Sequence, residues 1–390
     1  MNAMRNALIL SLTLLSALMF STASQAEDNF PDQDLHLKLD SRLDPQWPLL
    51  PERKSAQGLS TATEMQLTEG YSLDSDYQLG QGWRKGNYYL SGYVNIEVLA
   101  PRNDPAELVM DDLSLFIGGH VNRWFNPFIE AEISSYTVVQ QGGGARGNGY
   151  IVSERLYNDS LLFERNTLRA GKMLSPVGHW NLIHAAPLVP TNTRPLTTYR
   201  GFSEYATGAS WIYDPENGET PDWQLYWQPG SEIPRRPKAV EPRTFSNVLG
   251  GHINIPFGLL DRVGVSLQHG HLRETEESFT LYGANFNKSF GKLKVESEAI
   301  ASIWSGSAPR AHDQELGIFG LLDYTFAPRW HGILEWERYQ DHEVVLPSKN
   351  ILLGVSYKFS PAVLKLEYVH QMGESPFISS GWQASFSSLF

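Results

Sequence analysis

Carboxylates recur two residues apart in this chain, as Glu130 and Glu132, Glu296 and Glu298, Glu335 and Glu337. In a strand, residues i and i+2 share one face, so each pair presents two acids to the same side. Glu97 and Glu367, with Lys294, Lys358 and Lys365, occupy comparable places in similar runs. Cations gather elsewhere. Arg165 and Arg169 lie close together, and Arg194 and Arg200 accompany His179 and His184 in a stretch, 174–206, that holds no acid before Glu204. Arg235, Arg236, Lys238 and Arg243 fall within 229–245. Opposed acidic and basic surfaces set up a field that acts on any charged molecule between them.

Spacing suited to bond-making is scarce. His269-Gly270-His271 puts two imidazoles on one strand face, yet no Ser or acid is arranged around them as nucleophile and orienter. Nor is there a third ligand at a spacing that suits a metal. Gly142-Gly143-Gly144 lacks the following Lys-Ser/Thr of a phosphate-cradling loop. The absence of Cys from all 390 residues excludes disulfides, thiolate metal sites, haem attachment through Cys-x-x-Cys-His and Cys nucleophiles. A formal net charge of −12 leaves no basic footprint for nucleic acid. No catalytic residue, cofactor or metal is expected.

The elements that carry these charges read as strands. From Tyr88 onward, Leu90, Gly92, Val94, Ile96 and Val98 fall on one face, and Tyr89, Ser91, Tyr93, Asn95 and Glu97 on the other. The same alternation sets Ile129, Ala131 and Ile133 against Glu130, Glu132 and Ser134, and Leu364, Leu366 and Tyr368 against Lys365 and Glu367. Runs of about 9–13 residues match the ~9–11 that a tilted strand needs to cross a bilayer and exceed the ~5–6 usual in soluble proteins. A soluble sheet with one wet face alternates too, so the connections decide. Short links such as Phe290-Gly291, Ala327 to Trp330 and Ser360-Pro361 take turns with long polar ones such as 140–149, 174–206, 229–245 and 305–313. Tight turns at one rim and long loops at the other are how a transmembrane barrel is organised.

The amino terminus agrees. Arg5 precedes the uncharged apolar run Ala7 to Phe20, and Ser24-Gln25-Ala26 is a small-x-small cleavage site, so residues 1–26 read as a secretory signal peptide. The apolar run falls short of the ~20 residues of a spanning helix. Residues 27–87 read as an N-terminal periplasmic extension or plug, and 88–390 as an all-β, antiparallel transmembrane barrel. Loop parity predicts about sixteen strands, with fourteen to eighteen compatible with the weak patterning of Tyr150–Tyr157, Thr207–Tyr213 and Trp223–Gln228. Trp124, Trp211, Trp223, Trp304, Trp330 and Phe359 sit near strand ends, where an interfacial aromatic girdle belongs.

The last strand sets Trp382, Ala384, Phe386, Ser388 and Phe390 on one face and ends on an aromatic. This resembles the terminal signature of bacterial outer-membrane barrels, with Phe386 and Phe390 as the insertion signal and Ser388 departing from the usual aromatic. The chain from Tyr88 to Phe390 resembles the Gram-negative porins. Leu168-Arg169-Ala170-Gly171-Lys172-Met173-Leu174-Ser175-Pro176-Val177-Gly178 is similar to the strand-to-loop segment of the phosphate-selective and related anion porins. That short match assigns no phosphate specificity.

The resemblance implies that the third long loop, 174–206, folds into the barrel and narrows it; the alternative is a cap over the outer mouth. Folded inward, it makes Arg165, Arg169, Arg194 and Arg200 pore-lining groups that face Glu130, Glu132, Glu296 and Glu298, with a local preference for anions. The expected function is passive diffusion of small hydrophilic solutes, ions included, across the outer membrane. The alternatives are a non-conducting barrel for binding, export or assembly, and a barrel enzyme acting on lipid. Expected partners are outer-membrane lipid and lipopolysaccharide, the barrel-assembly machinery and small solutes, and the porin resemblance implies a homotrimer.

Overall fold

The computed structural model describes residues 76–390, apart from 79, 145–147, 184, 216, 217, 234–242, 259, 260, 276 and 374. The expected signal peptide, and residues 27–75 of the expected extension, lie outside the described residues. Two short strands come first, β1 (Asp76–Gln78) and β2 (Gly82–Lys85). The next eight are β3 (Tyr88–Pro101), β4 (Glu107–Gly119), β5 (Asn126–Gln140), β6 (Tyr150–Phe163), β7 (Asn166–Leu174), β8 (Tyr205–Tyr213), β9 (Asp222–Ser231) and β10 (Phe245–Pro256). They are followed by β11 (Arg262–Leu272), β12 (Ser278–Phe290), β13 (Leu293–Ser305), β14 (Gln314–Ala327), β15 (Trp330–Gln340), β16 (Ser348–Phe359), β17 (Ala362–Met372) and β18 (Gly381–Leu389).

Strands β3 to β18 pair antiparallel with their sequence neighbours, and β18 returns to β3, Gly381 opposite Pro101 and Leu389 opposite Tyr93. The sheet is therefore a closed barrel of sixteen strands, which satisfies every strand edge internally. β2 continues the flank of β3 beyond the end of β18, with Trp83 opposite Leu90 and Lys85 opposite Tyr88. β1 folds back on β2. The last part of the expected extension is thus sheet laid against the short-turn rim.

Alternation along the strands sorts the side chains as expected. On β3, Ile96 and Val98 are exposed on the outer surface, while Ser91, Tyr93, Asn95 and Glu97 are buried inside. A row of outward apolar groups suits contact with hydrocarbon, and the inward polar row suits a wet interior. Trp124, Trp211 and Trp330 are exposed as a girdle requires. Trp304 is a correction: it points inward, is 2% exposed and stacks on His342 at 4.0 Å. Its parity on β13 places it with Glu296 and Glu298 rather than with the outward Ile303.

One irregularity matters for function. Asn95 pairs with Asp112 while Ile96 pairs with Met110, so Asp111 is an extra residue in β4. A bulge of this kind lets two consecutive side chains turn toward the same side, which plain alternation forbids.

Candidate functional site

Residues 175–204 link β7 to β8 and fold into the barrel. They contain α1 (Trp180–Ile183) and a single 3₁₀ turn, Leu196–Thr198. Val177, Trp180, Leu196, Thr197, Thr198 and Phe202 are buried. The choice left open between a constricting loop and an outer cap is settled in favour of the inward position.

The glutamates of the wall hold that loop. Glu298 on β13 accepts the backbone N–H of His179 at 2.7 Å and of Trp180 at 2.6 Å. Glu337 on β15 accepts the Thr197 N–H at 2.8 Å and its hydroxyl at 2.9 Å. Glu367 on β17 accepts the N–H groups of Asn192 and Thr193 at 2.9 and 2.8 Å. Lys365 works in the opposite sense, donating to the carbonyls of Ala186 at 2.7 Å and Thr191 at 3.1 Å. Loop backbone buried in a barrel needs such partners, because no water replaces a missing one without cost.

The register explains the fit. Glu298, Phe319, Glu337 and Asn350 stand in one row across β13 to β16. Trp180 sets its ring edge-on against Phe319 at 5.7 Å, between the two acids. Gly178 (φ +70°) precedes the contact, and a Cβ there would collide with the Glu298 carboxylate. The Pro-x-Gly read from the sequence, Pro176-Val177-Gly178, is the entry of the loop into this seat.

Docking on β13 to β17 leaves the opposite wall facing open space. A cavity of about 390 Å³ lies there, lined by Asn95, Glu97, Asp111, Asp112 and Glu132 of the wall and by Asn192, Arg194 and Arg200 of the loop. Asn95 donates to Glu97 at 2.8 Å, Ser114 donates to Glu132 at 2.8 Å, and Ser134 lies 3.4 Å from Asp112. Among the described residues, no Lys or Arg forms an ion pair with Glu97, Asp111, Asp112 or Glu132.

The cations, by contrast, are engaged. Arg169 grips Asp159 through Nε and Nη2 at 2.8 and 2.9 Å. Arg194 pairs with Glu204 and donates to Asn181 at 2.8 Å and to the Thr198 carbonyl at 3.0 Å, stapling the loop to itself. Arg200 reaches Asp341 at 2.8 Å. Arg243 donates to Glu315 at 3.1 Å and to Asp341 at 2.8 Å, and its contact with the Arg200 carbonyl at 3.1 Å ties the constricting loop to the outer rim. Burial works to raise the Asp341 carboxyl, but Arg243 and Arg200 outweigh it and hold it below the ordinary aspartate value.

Arg165 is a correction. With Glu164 it forms the β6–β7 turn, exposed and at φ +64°, and its carbonyl accepts the Asp214 N–H at 3.0 Å. A residue in the left-handed region has left the strand, so it cannot share an inward face with Arg169. Glu130 faces inward but is paired with Arg155, and Glu296 with Lys294. Asp111 and Asp112 escaped the sequence reading because the bulge breaks the alternation. Two adjacent acids in mid-strand were the available signal, since strict alternation would point one of them at lipid. Arg235, Arg236, Lys238 and His184 lie outside the described residues.

Other constellations resolve into struts. Ser266 Oγ lies 2.8 Å from His252 Nδ1, and His252 Nε2 lies 2.8 Å from Asn254 Oδ1. The hydroxyl sits beneath Gly178, whose N–H points at it from 3.2 Å, so this chain braces the loop. Glu315, Asp341 and His342 converge within the reach of one metal ion, but the Arg243 guanidinium already stands among them. His269 and His271 lie on the outer side, His269 within 3.0 Å of the Thr280 hydroxyl.

No family model matches the chain. A stretch of 129 residues is 32% identical to an uncharacterised protein of Aquifex aeolicus (strain VF5), covering 32% of this chain and 27% of that protein. The chain thus spans about a quarter of the length of that relative. Among solved structures, an anion-selective porin from Comamonas acidovorans superposes with a TM-score of 0.58 over 78% of this chain and 99% of its own, at 11% identity. Salmonella typhi OmpF, in complex with daunomycin, gives 0.57 over 78% and 98% at 9% identity. The fold is that of a porin-like outer-membrane barrel. A loop-deletion mutant of OmpT, an outer membrane protein of Vibrio cholerae, also matches, at 0.55 over 78% and 99% with 12% identity. At these identities the likeness concerns architecture alone.

Proposed function

We propose that the protein is a channel of the outer membrane that lets small hydrophilic solutes diffuse passively. The reading rests on the cavity of about 390 Å³ between the loop docked on β13 to β17 and the acidic wall of β3 to β5. A closed sheet with apolar groups outside and charged groups inside supports a place in the membrane, reached after removal of residues 1–26. The anion preference expected from arginines finds no support, because Arg169, Arg194 and Arg200 already hold carboxylates. Glu97, Asp111, Asp112 and Glu132, which form no ion pair with Lys or Arg among the described residues, favour cations instead.

A non-conducting barrel is the second reading. It is favoured by Tyr93, Phe116, Phe128 and Tyr157, inward aromatics of β3 to β6 that are each no more than 4% exposed. Liposome swelling separates the two. Proteoliposomes holding folded protein should swell in isotonic small sugars at rates that fall with sugar size; no swelling with any solute refutes the channel.

A further inference from the structure

Two cations face away from the pore. Arg338 on β15 alternates with the buried Glu337 and Tyr339, and Lys349 on β16 with the buried Ser348 and Asn350, so both exposed side chains point out of the barrel. The register sets them directly opposite each other. Residues so placed stand about 4.5–5.5 Å apart at Cβ, and like charges there destabilise the pair of strands. Nothing in the wall offsets this. Among the described residues, neither side chain forms an ion pair or a hydrogen bond. The acids of β14 to β17 all face the interior: Glu315, Asp323, Glu335, Glu337 and Glu367 are none of them more than 7% exposed. An anion that relieves the pair therefore comes from outside the barrel.

Depth in the membrane fixes the chemistry of that anion. β15 ends at Gln340 and β16 begins at Ser348, so the two cations flank the link 341–347 at the long-loop rim, which faces outward. One row nearer the membrane centre Trp336 opposes Ile351, and in the next Leu334 opposes Leu353. Trp336 and Leu353 are exposed, and Gly320 opposite Trp336 leaves open space where a side chain would stand. His370, opposite Ile351, is exposed on the same face and borders the patch on the β17 side. Charge at the rim, an indole beneath it and aliphatic groups below match the passage from headgroup to acyl chain.

Resting on the outer-membrane placement of the barrel, we propose that Arg338 and Lys349 form a docking site for the phosphorylated headgroup of the outer-leaflet glycolipid, lipopolysaccharide. A phosphate between them removes the repulsion: the guanidinium fork takes two of its oxygens and the ammonium a third. The acyl chains lie over Trp336, Leu334 and Leu353, with the space at Gly320 open to one of them. The outward rim selects a glycolipid that carries its phosphates on sugar above several acyl chains.

The test is native mass spectrometry of the full chain folded in an uncharged detergent and offered equal amounts of diphosphoryl lipid A, its dephosphorylated form and phosphatidylglycerol. A complex with diphosphoryl lipid A should survive activation that strips away the other two. Arg338→Ala with Lys349→Ala should lower the retained fraction about tenfold, because the charge-assisted bonds are lost together. Lys349→Arg should keep it. The single Lys349→Ala variant, which should also retain less, keeps the test open should the double variant fold poorly. Thermal unfolding gives a second reading: diphosphoryl lipid A should raise the midpoint of the wild type and leave that of the double variant in place. Retention unchanged in Lys349→Ala and in the double variant, or phosphatidylglycerol held as firmly as diphosphoryl lipid A, overturns the proposal. Flotation with liposomes reports on the membrane placement separately, since a barrel that floats can still show no preference among these lipids.

Discussion

The carboxylate of Glu298 accepts the backbone N–H of Trp180 at 2.6 Å, across 118 residues of chain, and this bond seats the first turn of the constricting loop on the barrel wall. The same oxygen takes the His179 N–H, so one side chain satisfies two amides at the start of α1. An amide cannot make this contact in the same way, because it lacks the full charge that strengthens both bonds.

Glu298→Ala should therefore loosen the loop without opening the sheet. Each charge-assisted bond contributes about 1.5–3 kcal/mol, and both are lost together. The expected result is a larger and noisier single-channel current with β-sheet circular dichroism unchanged. A quiet current of wild-type size would show that the other anchors, Glu337 and Glu367, carry the loop alone.

Arg243 stands between two buried acids at the outer rim. Arg243→Ala leaves Glu315 and Asp341 buried without this partner and should cost ~3–5 kcal/mol, far more than an exposed pair. Adding Glu315→Gln should recover part of the loss, because one orphaned charge disappears. Thermal unfolding of the two variants checks this, and equal midpoints would contradict it.

Acidification should act on the loop through His179. Burial pushes its imidazole down from the ordinary 6.5 to about 4, so a released loop binds a proton that the docked loop refuses. Docking is then unaffected above pH 6.5 and weakens as the pH falls towards about 4. Current noise should rise through that window, and His179→Gln should flatten the profile. An unchanged pH profile in the variant would remove His179 from the account.

The seam of the barrel makes a demand on assembly. Phe390 and Gly92 exchange backbone bonds at 2.9 and 3.0 Å, and a Cβ on Gly92 would overlap the Ser114 carbonyl and crowd the terminal ring. Gly92→Ala and deletion of Phe390 should both lower the yield of folded, heat-modifiable barrel on gels. Normal yield from Gly92→Ala would show that the seam can shift to make room.

Much of the fold is legible in the residues. Ile96 and Val98 against Asn95 and Glu97, and Phe290-Gly291 against the long stretch 174–206, give strand, face and rim, because alternation and turn length are local properties. The seat of the loop is not local. That Glu298, Glu337 and Glu367 bind amides rather than line an open pore depends on contacts between residues more than a hundred positions apart. Arg165 differs for another reason: β7 begins only at Asn166, so Arg165 lies in the turn and belongs to neither face of the strand. The ion pairs of Arg169 and Arg194 likewise lay beyond reach, since charge type predicts attraction but not which carboxylate arrives first.

Planar-bilayer recording in a salt gradient tests the central claim most directly. Folded wild-type protein should give discrete steps with a zero-current potential on the cation side, and shortening the loop between Trp180 and Thr198 should enlarge the steps. Absence of steps from the wild type, or steps whose size ignores the loop, would contradict a channel narrowed at this site.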